Sequence, residues 1–533
     1  MSRERKTWNS FKKACMVTLL AAGMLMGIQT GAKAIDFKAQ GEWLVGFGLS
    51  DATFVDKSDG KKTNSNDMFG AAQRVRIKLD AVASEALSGT VYFEIGTQDW
   101  GNAGDGGALG ADGTNVIKVK NAYIDWSVPE TDLKFRMGLQ GLSMPNAAGG
   151  SAILDSDVAA VVGNYKFNDN VGLTALWMRP YNDNFVGRDI NGTTRQRNYL
   201  DNLDLFALTL PLAFDGVELT PWVMYGIMGK NTLDGYNGFG RYTDGDIWSS
   251  PDGTVESTLV NFHPGFAADT TSFGNSSAYN SLFWFGLPIS LTVWDPLNIE
   301  FEFDYGYSSG LGKYDLWKRG AGGQSIRADS RREGWLAKAL VEYKFDWGVP
   351  GIFGWYASGD DGSMKNGSKR LPSLSAGGYF TSFMGCGGTD FWANNTKGYS
   401  YEKNMTYAGT WGVGLQVRDM SFIEDLSHTF RVALWGGTNS PSMTKYFDNR
   451  SSAWGATDDP YSYDGPYMTT NDNLLEFNLD SNYKIYENLT VNLDLGYIVN
   501  MYDTDTWNRS WMTDSGVQKK DAWKAQMTFA STF

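Results

Sequence analysis

The sequence predicts an all-β protein, a transmembrane antiparallel β-barrel of about 18 strands, with 16 as the alternative count. Three observations predict it. Apolar and polar residues alternate with period two from end to end, the mark of strands with two different faces. The links between these runs are short and long by turns, as in a barrel with short periplasmic turns and long extracellular loops. A leader with the features of an export signal precedes the first run.

The leader comes first in the chain. Arg3, Arg5, Lys6, Lys12 and Lys13 form a basic opening, Ala14 to Ile28 a short apolar stretch, and Ala32-Lys33-Ala34 a small-x-small cleavage pattern. Residues 1–34 therefore read as a signal peptide, and 35–533 as a single outer-membrane barrel. The apolar stretch falls short of the ~20 residues that a spanning helix needs. Cys15 follows Lys13 and Ala14, where a lipobox would place apolar and small residues, so lipidation is not expected.

Cleavage would leave Cys386 as the one cysteine, which excludes an intramolecular disulfide. It would also remove six basic residues and one acidic residue, a net of +5, taking the formal charge from −14 to −19. Nucleic acid is not an expected partner of so acidic a chain. Aromatic content of 14 % and 63 glycines, with a negative mean hydropathy, suit a wall that is apolar outside and wet inside. The best apolar run after the leader, Ser281 to Trp294, is too short for a helical span and contains Pro288.

The strands follow from the alternation. Leu489, Val491, Leu493, Leu495, Tyr497 and Val499 share one face, against Thr490, Asn492, Asp494 and Asn500 on the other. Ile299, Phe301, Phe303, Tyr305 and Tyr307 alternate with Asn298, Glu300, Glu302 and Asp304. Trp335, Ala337, Ala339, Val341 and Tyr343 alternate with Lys338, Glu342 and Lys344. A soluble sandwich could use such strands, but it has no reason to alternate short and long connections. Tryptophans and tyrosines near the loop ends, such as Trp335 and Tyr497, and aromatics near the turn ends, such as Phe345 and Tyr483, would form two interfacial girdles. The last run, Trp523 to Phe533, alternates and ends on Phe533, which resembles the assembly signal of bacterial outer-membrane barrels.

Catalytic side chains are scarce. The chain has two histidines, His263 before Pro264 in a long loop and His428 near a turn, and neither spacing supports a Ser-His or metal-ligand arrangement. A barrel enzyme is therefore disfavoured, and neither a cofactor nor a metal is expected. Asp105 with Asp112, or Asp360 with Asp361, could hold Ca²⁺, but none completes an EF-hand spacing, and solvated acidic loops are the simpler reading.

The lumen carries the functional signal. Arg74, Arg76 and Lys78 share a face opposite Val75, Ile77 and Leu79, and a charge on the lipid face is costly, so the basic row should point inward. Lys134 and Arg136, beside outward Phe135 and Met137, would join it. The third long connection, Gly141 to Val158, carries Asp155 and Asp157 among small and apolar residues and could fold into the barrel as a constriction. A basic wall facing an acidic loop would set a transverse field across the pore. One place resists the scheme: Lys118 and Lys120 share parity with Ile124 and Trp126, as if a β-bulge lay between them.

The segments AAQRVRIKLDAVASEALSGTVYFEIG (Ala71 to Gly96), FRMGLQ (Phe135 to Gln140), NLDLFALTLPLAFDG (Asn202 to Gly216) and the terminal MTFASTF resemble the outer-membrane homotrimeric porins of sulfate-reducing bacteria. The resemblance runs across most of the chain after the leader. It implies a trimer of barrels in the Gram-negative outer membrane, passive diffusion of small hydrophilic solutes and ions, and no catalytic residues. The third loop would be the constriction, although the PEFGG-type sequence of some enterobacterial porins is absent. Outer-membrane lipid, lipopolysaccharide and the barrel-assembly machinery are the partners such a protein would meet. A substrate-specific porin for carboxylates or sugars is the alternative, a basic track favouring the first and an aromatic ladder the second.

Overall fold

Each alternating run forms a strand, and these strands join one closed antiparallel sheet. The computed structural model describes residues 35–51, 54–57, 68–103, 106–109, 117–182, 189–190, 193–194, 202–229, 259, 261, 268–274, 279–318, 325–377, 380–382, 407–447, 467–507 and 517–533. The leader, His263, Cys386, Asp105 and Asp112 lie outside the described residues.

The wall has 18 strands in chain order. The first six are β1 (Asp36–Asp51), β2 (Met68–Ser84), β3 (Leu87–Asp99), β4 (Ile117–Ser127), β5 (Leu133–Ser143) and β6 (Asp155–Lys166). Then come β7 (Gly172–Asn182), β8 (Asn202–Thr209, continued by Leu212–Phe214), β9 (Val217–Leu219 and Trp222–Gly229), β10 (Tyr279–Leu291), β11 (Leu297–Ser308) and β12 (Arg332–Tyr343). The last six are β13 (Val349–Ala357), β14 (Thr410–Ile423), β15 (Leu426–Gly437), β16 (Asn473–Tyr486), β17 (Leu489–Met501) and β18 (Ala522–Thr532). The breaks in β8 and β9 fall at Pro211 and Pro221, which lack the N–H that a ladder needs. Asp215-Gly216 makes the tight turn between them, with Gly216 at φ +67°.

Closure is direct. β18 pairs with β1 from Glu42↔Thr532 to Asp51↔Trp523, and β1 pairs with β2 on its other side. An even strand number makes the first and last strands antiparallel, and a closed sheet leaves no edge for aggregation. Among the described residues no helix is long and apolar enough to cross a membrane. Short paired segments, such as Lys313–Trp317 with Ser325–Asp329, stand among the long connections.

The two faces of the wall differ as period two requires. Outward residues form an apolar band that includes Trp177, Phe206, Val223, Tyr225, Phe283, Ile352, Leu415 and Met527, all exposed. At the short-turn rim Trp126 stacks on Phe135, and Phe345 on Trp347. At the opposite rim Trp335 stacks between Phe303 and Tyr356. The Lys118–Lys120 anomaly has the cause its parity suggests. The β3–β4 register shifts between Tyr92↔Asn121 and Phe93↔Val119, which leaves Lys120 as an extra residue and returns Lys118 opposite Glu94.

Candidate channel constriction

The third long connection folds into the barrel. Its strands run further than the sequence suggests: β5 extends to Ser143 and β6 begins at Asp155, so the loop proper is 144–154 rather than 141–158. Met144, Ala148, Ala152, Ile153 and Leu154 are buried there against the inner faces of β6 to β13. The wall contributes Val158, Leu176, Leu205, Met224, Trp284, Leu340 and Phe353 to this apolar core.

Polar anchors fix the loop across the lumen. Trp222 Nε1 donates to Pro145 O at 3.0 Å, and Ala147 N to a Glu302 carboxylate oxygen at 2.7 Å. Lys338 Nζ donates to Gly150 O, and Tyr407 Oη to Gly149 O at 2.9 Å. Gly149 sits at φ +75° with its missing Cβ 2.5 Å from Tyr407 Oη, so a side chain would meet both strain and a clash.

A second segment, with described residues 359–377 and 380–382, lies beside the first. Gly377 N donates to Ser151 O at 2.9 Å and Leu374 N to Ile153 O at 2.8 Å. Trp284 Nε1 donates to Pro372 O at 2.9 Å, and Arg332 Nη2 to Leu371 O at 2.9 Å. Further on, Lys524 Nζ donates to Ser382 O at 2.9 Å, and Ser382 N to Asn478 Oδ1 at 3.1 Å. Phe380 stacks on Phe353 with ring centroids 4.7 Å apart. Phe353, Trp355 and Trp435 face inward as an aromatic ladder, but they are buried among Phe380 and Tyr407. They offer no open stacking surface.

The opposite arc, β1 to β5, keeps a charged inner face. The pairing puts Lys38, Gln40 and Glu42 of β1 beside Asp80, Lys78 and Arg76 of β2, with Arg74 next along that face. Arg136 of β5 stands opposite Asp125 of β4, and Lys134 opposite Ser127. The basic row is interleaved with acids. Arg76 bonds Glu94 at 2.7 Å, Lys78 lies 3.5 Å from Asp80, and Arg136 binds Asp125 through two nitrogens at 2.7 and 2.9 Å. The Arg136 guanidinium also lies 4.2 Å from the Tyr123 ring centroid. Apart from Asp80, which lies on the same strand as Lys78, these partners come from neighbouring strands, so their proximity was invisible to a reading of single runs. Further round the lumen Arg418 pairs with Glu342 at 2.6 Å, and Arg431 with Asp480.

Asp155 and Asp157 belong to β6 rather than to the loop proper, and Asp157 precedes the buried Val158. The Asp157 carboxylate lies beside the Cα of Gly141, on the face of Leu139 and Met137, and pairs with Lys120 while accepting from Asn121 at 2.7 Å. Asp155 lies against Gly377, and its N–H donates to Ser375 O at 2.7 Å. Neither is brought to Arg74, Arg76, Lys78 or Arg136. The groups that face the loop are Glu302 and Lys338, whose inward parity is visible in the sequence but whose partner is not.

Other candidates have local roles. Asp360 accepts from Ser368 Oγ at 2.6 Å, Lys369 N at 3.0 Å and Tyr467 Oη at 2.7 Å, which occupies its oxygens. His428 Nδ1 lies 2.8 Å from Ser481 Oγ on the outward face near the short-turn rim. Among the described residues no group of three or more His, Cys, Asp or Glu could hold a metal ion. Phe533 exchanges two backbone hydrogen bonds with Gly41, of 2.9 and 3.1 Å.

No family model and no curated protein matches the chain. Solved outer-membrane barrels of pseudomonads do resemble it in shape. Pseudomonas aeruginosa OpdO superposes with a TM-score of 0.47 at 11% identity, covering 93% of this chain and 97% of its own. The outer membrane protein OpdK of the same organism gives 0.46 at 10% identity, covering 93% and 98%. A BenF-like porin from Pseudomonas fluorescens gives 0.47 at 8% identity, again covering 93% and 98%. The fold stands on the strand pairing itself, not on these likenesses.

Proposed function

We propose that the protein is a general porin of the Gram-negative outer membrane, a water-filled channel for passive diffusion of small hydrophilic solutes and ions. One observation carries the reading: the closed barrel is apolar outside, while its inner arc from β1 to β5 is charged and, among the described residues, lies apart from the packed loop segments of the other side. A charged inner wall beside a packed loop is what a narrowed aqueous path needs. An enzyme reading has no comparable support, since His428 faces outward.

On this reading residues 1–34 are the signal peptide, and Phe533 is the assembly signal read by the barrel-assembly machinery. Three subunits pack side by side among outer-membrane lipid and lipopolysaccharide. Arg74, Arg76, Lys78 and Arg136 line the path, and loop 144–154 replaces the acidic Asp155 and Asp157 as its narrowing element. A channel specific for carboxylates is the second reading, favoured by the cations on that wall. A sugar channel is disfavoured because Phe353, Trp355 and Trp435 are packed under other rings.

Planar-bilayer recording of the purified mature protein tests this. Stepwise openings in threes, indifferent to added sugars and organic acids, are expected. Saturable block by organic acids would replace the general porin with the specific one, and a silent bilayer would overturn both.

A further inference from the structure

The loop in the lumen is held by a knot of three buried ionisable groups. Glu302 of β11 and Lys338 of β12 are Cα partners, and Asp304 is the next residue along the same inward face. All three are 1 % exposed. Lys338 Nζ lies 3.2 Å from Glu302 Oε2 and donates to Gly150 O, while that same carboxylate oxygen accepts from Ala147 N. One ion pair therefore holds the loop backbone at two points, on a donor and an acceptor three residues apart.

Asp304 breaks the balance. Neither of its carboxyl oxygens has a hydrogen-bond partner among the described residues. Among the described residues the surrounding elements offer no second cation. On β10, Gly286 and Pro288 stand opposite Asp304 and Glu302, and on β12 Leu336 stands beside Lys338. The loop presents backbone alone at its anchors, Ala147 N and Gly150 O. Tyr407 contributes a ring 5.3 Å from Lys338 Nζ, its hydroxyl committed to Gly149 O. Glu300, the residue before Glu302 on that face, accepts from Asn298. Two buried carboxyls thus face one ammonium, and an uncompensated buried charge is strongly disfavoured.

We propose that Glu302, Asp304 and Lys338 position loop 144–154 in the lumen, and that Asp304, the carboxyl with no cation of its own, carries the proton whose loss releases the loop. With the proton in place the knot is neutral, one carboxylate against one ammonium beside one carboxyl. Without it a net negative charge sits against the carbonyls of Gly149 and Gly150 and the anchor fails. Lys338, Glu302 and Asp304 are positioning residues. The inference rests on the channel reading above, and its test separates the two.

The test is single-channel recording over a pH series from about 4 to about 10, which spans free and buried carboxyl behaviour. Wild type is expected to conduct quietly at the acid end of the series and to become noisier and larger in conductance as the pH rises. Asp304→Asn, which keeps the shape and removes the proton loss, is expected to stay quiet throughout. Lys338→Met should be noisy at every pH, and Lys338→Arg should restore the wild-type profile. Superimposable pH profiles of wild type and Asp304→Asn would overturn the proposal, as would a quiet Lys338→Met channel.

A second readout needs no conductance. Ala152→Cys in a Cys386→Ser background buries a thiol under the loop, and maleimide labelling in detergent micelles reports its release. The ratio of labelling rates with Asp304 and with Asp304→Asn at each pH cancels the chemistry of the thiol. A ratio near one at the acid end of the series that rises severalfold as the pH rises supports the anchor, and a ratio of one throughout overturns it. A silent bilayer refutes the channel, whereas the labelling ratio still judges the knot. Heat-modifiable gel mobility confirms that each variant is a folded barrel.

Discussion

The ring of Phe533 lies over the bare Cα of Gly41, with its Cζ 2.2 Å from where a Cβ would stand. The last residue of the chain is thereby seated in a notch on the first strand, and two backbone hydrogen bonds hold it there. The seam between β18 and β1 is closed by a side chain and a vacancy together.

Gly41→Ala should fill that vacancy and force the ring aside, at a cost of about 1–3 kcal/mol typical of overpacking. The expected result is a lower unfolding midpoint on heat-modifiable gels with unaltered channel size. Phe533→Ala should tolerate Gly41→Ala better than wild type does, because the clash has lost its second partner. Equal destabilisation by Gly41→Ala in both backgrounds would break the link between the two residues.

Arg136 is open to passing ions, since its side chain is 42% exposed although it is bound to Asp125. A unit charge about 4 Å from an ion is worth about 1 kcal/mol in water, a factor of roughly five in local occupancy, and less in salt. Arg136→Ala should therefore move the reversal potential in a salt gradient towards cations, and Asp125→Asn should move it towards anions. The displacement should shrink at high salt.

Asp157 is expected to behave otherwise. Its charge is matched by Lys120 and its carboxylate accepts from Asn121, so Asp157→Asn should move the reversal potential less than Arg136→Ala does. Partly exposed pairs contribute about 0–1 kcal/mol, so a small loss of thermal stability is the accompanying effect. A shift in selectivity as large as that of Arg136→Ala would show that the pairing does not neutralise Asp157 for passing ions.

Asp503, just beyond β17, offers a pH signature. The Thr506 hydroxyl, and the N–H groups of Thr506 and Asp505, hold its carboxyl below the usual carboxylate range despite partial burial. A depressed value in the folded state stabilises this turn above the unfolded value and loses the contribution as pH falls through the folded one. Hydrogen exchange in residues 500–507, corrected for intrinsic rate, should therefore accelerate below about pH 4. Asp503→Asn should remove that acid dependence, and an unchanged acid limb would refute the assignment.

The wall was legible in the sequence because membrane strands must repeat a single rule. Leu489 to Val499 and Ile299 to Tyr307 show their two faces without any partner. The bulge at Lys120 announced itself as an error of parity before its register was known. The packed half of the lumen was not legible. Val158, Leu176, Met224 and Trp284 face inward yet are apolar, since their neighbours are loop residues far away in sequence. A period-two rule records that a strand has two faces, and says nothing about a loop that returns to cover one of them. The bounds of the third connection were missed for a related reason: strand ends depend on pairing across β5 and β6, which takes in three residues after Gln140 and four before Ala159. Glu302 and Lys338 were visible as inward charges, but the loop backbone that they hold carries no sequence signature at all.

The infolded segments leave the cylinder unequal around its circumference. From β6 to β13 the sheet is clamped between lipid on one side and a close-packed interior on the other. From β1 to β5 its inner face carries charged side chains in place of that packing. The first arc is stiff and the second compliant, so any breathing of the bore is taken up by the arc that carries the charges, and the seam at Phe533 and Gly41 lies at its margin.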